Sequence, residues 1–571
     1  MRTFLKNEWP GLLLGLVATI WVLCQIDSGG LHPGWPEGPG LTIDESFNVQ
    51  QGVFLCRAFH AYGLAVVDPR SLGEIFQQEI YLADHPPLGR IWLGVHHEFL
   101  RWIVGVRSVG MGPAQIDYTL ARTGSATAFG LTIALLTIWG SWWGGRIVGV
   151  TAGLALLTMP RVFAHAHFAS LETTTNLACT AFSLAAAGML VMKPVSGEGL
   201  QPRLPPIPWE RLVFVGVLYG LALLTKIQAV LLLPPVVVWL VYAYRLRAGR
   251  AIGIAAVAAA IVFFSWPWLW SDPVGHTMSY LGRATNRATL SVWYFGRQFS
   301  DRETPWHYPW VLSAITVSLP VWLVGFYGSW LVFLGRLPQS MREPETAVAR
   351  GRILLRFLLV PLFVFSLPHV AIYDCERLFL IIYPMFALMI GVGTAKLWEH
   401  WCRYSRLPEP MRRLEAQCVA GGLLIWLIGM QLWTAPFWLS RYGGLAGGMR
   451  GAQAMGMEAS YWADGLTRGF WDECEKQIPR GATITVAPVL HQFQLDDWKS
   501  QVPAITRNDW NLIPLPAEEA ASPPGRSGNE YLVVFWRKAD LPSALQKELA
   551  GRQPLVQRSS GGVIIAGLYR R

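Results

Sequence analysis

Residues 87–105 read PLGRIWLGVHHEFLRWIVG, and this stretch decides the topology of the whole chain. It is apolar enough to resemble a membrane-spanning helix. Within twelve residues, however, it carries Arg90, His96, His97, Glu98 and Arg101. Ionisable side chains at this density are costly inside a bilayer, so the stretch predicts an amphipathic helix that lies at the membrane interface.

The composition of the chain around this stretch is that of a polytopic membrane protein. Of its 571 residues, 52% are hydrophobic and 15% are charged, whereas about 25% of the residues of a soluble domain are charged. Apolar runs of roughly 20 residues, the length that crosses a bilayer, recur between Gly11 and Leu439. The net charge of +10 does not indicate nucleic-acid binding, because the basic residues are dispersed among short loops between these runs.

The predicted topology has eleven spans, with the N-terminus in the cytoplasm and the C-terminus outside. The spans are 11–26, 118–141, 147–163, 173–192, 212–224, 228–243, 251–270, 310–334, 353–371, 378–396 and 417–438. This arrangement places the basic loops, such as 193–211, 245–250 and 396–416, on the cytoplasmic side, as the positive-inside rule requires. If residues 87–105 crossed the membrane, every later loop would change sides and break that rule.

A change of composition after Arg441 predicts a second domain. Four glycines within residues 443–448 are typical of a linker. The predicted elements beyond it are a helix at 458–477, strands at Ala482–Val486, Tyr531–Trp536 and Gly562–Leu568, and a helix near 541–551. We therefore predict a helical transmembrane domain, 1–440, with a first outer loop, 27–117, followed by a small extracytoplasmic α/β domain, 441–571.

Polar side chains gather in the loops that this topology places outside. They are Asp44, Glu45, Asp84, His85, His165, His167, Glu172, Lys226 and Arg377. A carboxylate at such a site can accept the proton of an attacking hydroxyl. Cations such as Lys226, Arg377 and Arg122 can hold the negative charge of a phosphate leaving group. The loops belong to different spans, so their meeting on one side is the strongest functional signal in the sequence.

The acidic residues and His85 also have purely structural interpretations. Asp44 is a preferred cap for a helix that starts at Ser46. Glu45 fits an exposed acid of the first helical turn or a partner that orients another side chain. Glu172 fits the acid at the start of a span, which the helix dipole favours, and His85 before two prolines fits the end of a turn.

The basic residues have structural interpretations as well. Lys226 and Arg377 fit side chains that extend from helix ends towards the interface. His165 and His167 are separated by one residue, so on a helix they point in different directions. They do not form a convincing metal-binding pair, and the seven scattered cysteines show neither zinc-site spacing nor a disulfide framework.

Two segments of the first outer loop resemble a known family. Asp44-Glu45 and Asp84-His85-Pro86-Pro87-Leu88-Gly89 are similar to the first outer loop of the family 39 membrane glycosyltransferases of the GT-C fold. This family includes protein O-mannosyltransferases and resembles the aminoarabinose transferases of lipid A. Further segments match in the same order, namely 120–126, 143–149, 167–172, 225–226, 305–309 and 376–377. The loop 271–309 is too short for the inserted domain of eukaryotic members, so a bacterial type is indicated.

The resemblance implies an inverting transfer of a sugar from a polyprenyl-phosphate donor to a hydroxyl of a protein, lipid or glycan acceptor. Asp44 would match the acid–base position, with Glu45 and His85 shaping the same pocket. The residues that match basic positions near the lipid phosphate are Arg122, Lys226 and Arg377. The expected location is the bacterial inner membrane, with the site on the periplasmic side and with no nucleic-acid partner.

Two positions depart from the family pattern. Glu172 stands where relatives commonly have Asp, and His167 stands where eukaryotic members carry Arg. The extra methylene of Glu172 moves its carboxylate by about 1.5 Å, one carbon–carbon bond. We therefore expect no required cofactor, and the one option left open is a divalent cation between Asp44 and Glu172.

Other functions remain open at this stage. A transporter or lipid flippase is the main alternative, but such proteins carry ionisable groups or broken helices near the membrane midplane, often in repeated halves. Here the charges lie at the outer ends of the predicted spans and no internal repeat is visible. A non-catalytic assembly subunit and a polymerase or ligase of lipid-linked glycans are the remaining alternatives.

Overall fold

The computed structural model describes residues 2–29, 35–103, 116–194, 204–244, 248–285, 288–516 and 530–571. Parts of the predicted basic loops 193–211 and 245–250, and the last two residues of the stretch 87–105, lie outside these ranges.

The chain is predominantly helical, and its helices lie close to the apolar runs of the sequence. Those up to residue 285 are α1 Arg2–Leu23, α2 Glu45–Tyr62, α3 Pro69–Phe76, α4 Pro87–Ile103, α5 Tyr118–Gly144, α6 Arg146–Leu157, α7 Pro160–His165, α8 Leu171–Met189, α9 Trp209–Leu223, α10 Leu233–Tyr244, α11 Ala248–Ser265, α12 Trp268–Ser271 and α13 Pro273–Thr285. The later helices are α14 Tyr308–Ile315, α15 Leu319–Leu334, α16 Pro344–Val364, α17 Tyr383–Tyr404, α18 Glu409–Trp433, α19 Gly448–Ala454, α20 Arg468–Cys474, α21 Gln492–Gln501, α22 Pro503–Arg507 and α23 Ser543–Leu549. Short 3₁₀ segments, Ile227–Leu232 and Arg377–Ile382, lead directly into α10 and α17.

Among the described residues, three helical segments are long and apolar enough to cross a membrane. They are α5, the continuous segment Arg377–Tyr404 and α18. Shorter apolar helices accompany them, at Glu8–Leu23, Arg146–Leu157, Ile227–Ala243, Gly249–Ser265 and Leu319–Leu334. The count of eleven spans stays a prediction.

Three of the predicted spans are interrupted. The run 147–163 divides into α6 and α7, the run 251–270 into α11 and α12, and the run 310–334 into α14 and α15. In the first and the third, the second helix has a proline in its first turn, Pro160 in α7 and Pro320 in α15. Proline suits the first turn of a helix because it lacks the N–H that would stay unbonded there. The interruption after α6 carries the chain to His165 and His167.

The described residues of this stretch, Pro87–Ile103, form the helix α4. Its polar side is the buried one, with Arg90 and His97 almost fully inaccessible, whereas Phe99 and Trp102 are exposed. α4 packs against α2 through Gly52, where an added methyl group would lie 2.2 Å from the Arg90 carbonyl oxygen. Only glycine allows this approach, which holds the start of α2 beside the start of α4.

The C-terminal part contains a mixed five-stranded sheet with the order β4-β3-β5-β7-β6. Its strands are β3 Thr483–Ala487, β4 Asn511–Pro514, β5 Tyr531–Phe535, β6 Val556–Ser560 and β7 Val563–Arg570. β3 pairs in parallel with β4 and β5, whereas β7 lies antiparallel between β5 and β6. The three predicted strands and the predicted helix near 541–551 are confirmed; β4 and β6 are short edge strands whose sequences lack an apolar run.

The segment that joins the two parts differs from its prediction. A helix was expected at 458–477, but only α20, Arg468–Cys474, is helical there. The large side chains from Trp438 to Trp462 pack with the apolar helices, and the separate core of the sheet begins at Ala463. A hairpin, β1 Ser291–Tyr294 and β2 Arg297–Ser300, reaches the C-terminal part from the predicted outer loop 271–309, where the Gln298 amide donates to the Ala539 carbonyl.

Candidate active site

Arg377, at the start of the segment that leads into α17, is the centre of the candidate site. Its Nε donates to Glu172 Oε1 at 2.7 Å, its Nη1 donates to Asp374 Oδ2 at 2.9 Å, and its Nη2 pairs with Asp44. The guanidinium carbon also lies 4.4 Å from the centre of the Trp462 ring. One arginine therefore joins three carboxylates that come from distant parts of the sequence.

Lys226 is the second cation of the site. Its Nζ donates to the same oxygen, Glu172 Oε1, at 2.6 Å, and only 3% of the residue is exposed. Burial lowers the pKa of Lys226, and the neighbouring Glu172 carboxylate opposes that shift. Lys226 and Arg377 are both buried, so their interpretation as side chains extending to the interface is wrong. We call Asp44, Glu172, Lys226, Asp374 and Arg377 the central cluster.

Asp44 is the accessible carboxylate of the central cluster. Its side chain is 27% exposed, compared with 2% for Glu172 and 5% for Asp374. It stands at the N-cap position of α2, but its side chain makes no capping hydrogen bond, so the cap interpretation is wrong. Burial raises the pKa of Asp44, Arg377 opposes this shift, and the charges of Asp374 and Glu172 add to it.

Glu45 and Arg122 form a separate, buried pair. Arg122 Nε and Nη2 donate to the two Glu45 oxygens at 2.7 and 2.8 Å, and the remaining Arg122 donors bind the carbonyls of residues 39 and 40. Glu45 also accepts from the Thr42 and Ala169 amides at 2.8 Å. Glu45 is thus an orienting partner and not an exposed acid. Arg122 is not brought together with Lys226 and Arg377.

His85 lies near the cations of the central cluster, and Asp84 precedes it in the chain. Asp84 binds Arg90 through two hydrogen bonds of 2.7 and 3.0 Å. Burial raises the pKa of Asp84, but the Arg90 charge and the hydrogen bonds to the carboxylate together outweigh burial and lower the value to about 2. Burial lowers the pKa of His85 to about 3, and the positive charges of Lys226 and Arg377 contribute. His85 therefore borders the site as a neutral imidazole.

His165 and His167 have different partners, in line with their spacing. His165 Nε2 lies 3.3 Å from the Tyr461 hydroxyl, and its ring packs edge-on against Trp462. His167 Nδ1 lies 2.8 Å from the carbonyl oxygen of residue 163, and its ring stacks on Trp438 at 4.2 Å. Burial lowers the pKa of both imidazoles to about 3. His165 borders the central cluster through Trp462.

The proposed metal ligands, Asp44 and Glu172, do come close to one another, but both contact the Arg377 guanidinium. A divalent cation at this point would have to displace that side chain. Within the described ranges, no group of three or more His, Cys, Asp and Glu side chains is arranged to bind a metal ion.

Unpartnered polar atoms surround a small cavity beside the central cluster. Glu172, Asn176, Lys226 and Gln228 line this cavity together with Arg377. Glu172 Oε2, Asn176 Oδ1 and Gln228 Oε1 are buried and make no hydrogen bond with the described part of the chain. Buried polar groups are normally paired, and a cavity of about 10 Å³ has room for about one water molecule that would pair with these atoms. Asn and Gln can turn either the oxygen or the NH₂ of the amide towards it.

An apolar cavity of about 400 Å³ lies next to α17, the helix that follows Arg377. It is formed by side chains of α14, α15, α16 and α17 and of the segment before α17, among them Trp310, Phe326, Leu358, Tyr383 and Phe386.

The sequence interpretation missed Asp374, Trp462 and Arg537. Asp374 lies three residues before Arg377, in the charged run 373–377 that ends a predicted span, and this run was the available signal. Trp462 and Arg537 follow the apolar helices by many residues and carry no local motif. Asp374 and Cys375 both have positive φ, 54° and 55°, a conformation that costs about 1–3 kcal/mol for a non-glycine residue and concentrates at functional sites.

Comparison with known proteins finds similarity in structure. No family model and no curated protein matches the sequence. The structure is similar to ArnT from Cupriavidus metallidurans bound to undecaprenyl phosphate, with 13% identity, a TM-score of 0.48, and coverage of 99% of this chain and 98% of ArnT. ArnT in the apo state gives 14% identity and the same TM-score, with coverage of 98% and 97%. The archaeal oligosaccharyltransferase AglB from Archaeoglobus fulgidus gives 11% identity and a TM-score of 0.48, with coverage of 95% of this chain and 72% of AglB.

Proposed function

We propose that this protein is a membrane glycosyltransferase of the GT-C type, which transfers a sugar with inversion from a polyprenyl-phosphate donor to an acceptor hydroxyl. The observation that carries the proposal is the composition of the central cluster. One partly exposed carboxylate, Asp44, lies beside two buried cations, Lys226 and Arg377. A base next to a site of concentrated positive charge suits a displacement with a phosphate leaving group.

In the proposed reaction, Asp44 accepts the proton of the acceptor hydroxyl while the acceptor oxygen attacks the anomeric carbon. The bond between that carbon and the phosphate oxygen breaks, and its electron pair leaves with the lipid phosphate. Arg377 and Lys226 balance the charge that develops on the phosphate. The raised pKa of Asp44 suits this role, because a base whose pKa is closer to the working pH binds the proton more favourably.

Neighbouring residues support the proposed donor site. Glu172 holds both cations through one oxygen, so it orients them, and its burial keeps it away from the acceptor. The amide oxygens of Asn176 and Gln228 have no partner among the described residues, and an amide turned by 180° would present its NH₂ group to a phosphate oxygen. The apolar cavity beside α17 has the character that a polyprenyl chain requires.

We infer the location of the protein and the side of its active site from the topology predicted from the sequence. The active site and the C-terminal domain lie on the periplasmic side of a bacterial inner membrane, where polyprenyl-phosphate sugars meet protein, lipid or glycan acceptors. No metal is assigned a step, because Arg377 occupies the position between Asp44 and Glu172 where a metal would bind.

The test is sugar transfer by the purified protein in lipid nanodiscs, with a panel of radiolabelled undecaprenyl-phosphate monosaccharides and a membrane-extract acceptor. Asp44→Asn is expected to lower the turnover by about 10²–10⁴-fold, the usual contribution of a general base. Asp496→Asn, on an exposed helical surface, is the matched control and should transfer sugar as the wild type does.

Two results would contradict the proposal. Transfer at the wild-type rate by folded Asp44→Asn would exclude Asp44 as the base. Absence of transfer by the wild type from every donor, combined with movement of the labelled lipid between leaflets, would favour a flippase.

A further inference from the structure

Arg537, which follows β5 of the C-terminal sheet, extends towards the central cluster. Its Nη2 lies 3.0 Å from Asp374 Oδ1, its Nε lies 2.7 Å from Asp540 Oδ2, and its Nη1 donates to the Tyr461 carbonyl at 2.9 Å. The residue is only 5% exposed. Since every guanidinium nitrogen has an acceptor, the orientation of Arg537 is well determined.

Asp374 connects Arg537 with Arg377. Its Oδ1 binds Arg537, and its Oδ2 accepts from Arg377 Nη1 at 2.9 Å. Arg377 in turn pairs with Asp44. A continuous series of buried charges therefore runs from the C-terminal domain to the proposed base, through a turn whose backbone is in the left-handed region at Asp374 and Cys375.

The loop that carries Arg537 is itself held in place. The backbone amides of Lys538 and Ala539 donate to the two Glu458 oxygens at 2.6 and 3.0 Å. Gln298 of the β1–β2 hairpin binds the Ala539 carbonyl at 2.7 Å. Contacts from Glu458 and from the outer hairpin thus fix the position from which Arg537 reaches Asp374.

We propose that the C-terminal domain completes the active site through Arg537, a positioning residue that sets the orientation of Arg377 by sharing Asp374 with it. This inference rests on the proposed function. Arg537 contacts neither Asp44 nor the two cations, Lys226 and Arg377, that are proposed to bind the phosphate. Its positive charge pairs with one carboxylate oxygen of Asp374. Arg377 therefore remains available to Asp44, to Glu172 and to a leaving phosphate.

The charges around Asp44 determine what loss of Arg537 does. Arg377 and Lys226 face Asp44 as cations, Asp374 and Glu172 face it as anions, and Arg537 adds a more distant positive charge. Without Arg537, the Asp374 charge is balanced by Arg377 alone and the field at Asp44 becomes more negative. Arg377 shifts towards Asp374, and the pH below which Asp44 takes up a proton rises.

The kinetic test compares Arg537→Gln with Arg552→Gln, a control in an exposed ion pair of the same domain. Arg537→Gln is expected to lower kcat by about 10-fold or more, because displacement of a reacting group by 1 Å can cost about 10²-fold. The KM for the acceptor should stay nearly constant, and the acidic limb of the pH profile should move to higher pH. Arg552→Gln should leave all three unchanged.

A double variant separates positioning from a merely structural role. Arg537→Gln combined with Asp374→Asn removes one cation and one anion, so the acidic limb is expected to return to the wild-type pH even though kcat stays low. A limb that does not move in Arg537→Gln, or that is not restored in the double variant, would overturn the proposal.

A second measurement decides the proposal without reference to sugar transfer. Hydrogen exchange of the backbone over residues 372–377 should become faster in Arg537→Gln and stay unchanged in Arg552→Gln. Unchanged exchange in Arg537→Gln, or an increase spread over the whole sheet, would overturn the inference. Absence of transfer by the wild type would refute the proposed function alone, since the exchange result would still show whether Arg537 holds this turn.

Discussion

Replacement of Glu172 by glutamine should destabilise the protein much more than replacement of its partner Lys226 by methionine. The reason is an asymmetry in the central cluster. Glu172 Oε1 accepts from Lys226 Nζ at 2.6 Å and from Arg377 Nε at 2.7 Å. Arg377 has two other carboxylate partners, Asp44 and Asp374, whereas Lys226 has no other ion-pair partner within the described residues.

The magnitudes follow from these partners. Glu172→Gln leaves Lys226, which is 3% exposed, as an uncompensated buried cation, and breaking a buried pair from one side costs about 3–5 kcal/mol. Lys226→Met removes one hydrogen bond but leaves the Glu172 charge paired with Arg377, so the cost is that of a charged hydrogen bond, about 1.5–3 kcal/mol. The double variant contains no unpaired buried cation. It should therefore be less destabilised than the sum of the two single variants by up to about 3 kcal/mol, as expected for residues in contact.

Thermal unfolding in detergent micelles, followed by intrinsic tryptophan fluorescence, measures these differences. A chain of 571 residues need not unfold in a single step, so the rate of unfolding at a fixed temperature should be compared as well. Equal destabilisation by the two single variants, or strict additivity in the double variant, would refute the assignment of Glu172 as the shared partner of both cations.

Two further predictions concern Glu45 and the pH dependence of transfer. Glu45→Ala leaves Arg122, which is 2% exposed, with only backbone acceptors. The free energy of unfolding should therefore fall by about 3–5 kcal/mol. Glu409→Ala, in an exposed pair with Arg413, is the control and should unfold at the wild-type temperature. Sugar transfer should decline as the pH falls through the raised pKa of Asp44, because a general base must be deprotonated; an acidic midpoint at or below the ordinary aspartate value of about 3.9 would contradict this assignment.

The amino-acid sequence by itself determined where most of the long helices lie and that four charged residues from distant segments come together. Apolar runs such as those of α5 and α18 are recognisable because helix formation and burial depend on side chains a few positions apart. Ionisable residues in the loops between such runs are also recognisable from the local sequence alone. This local information was enough to predict that Asp44, Glu172, Lys226 and Arg377 meet, and the structure brings these four together.

Only the tertiary structure decided which charge pairs with which. Arg122 was grouped with the phosphate-binding cations, but it binds Glu45, 77 positions away in the sequence. Asp374 lies between Arg377 and Arg537, and Arg537 follows β5 in the C-terminal part of the chain. A buried ion pair forms where packing brings two side chains into contact and excludes water from both. Packing of this kind depends on contacts between segments far apart in the chain, which no local sequence pattern records.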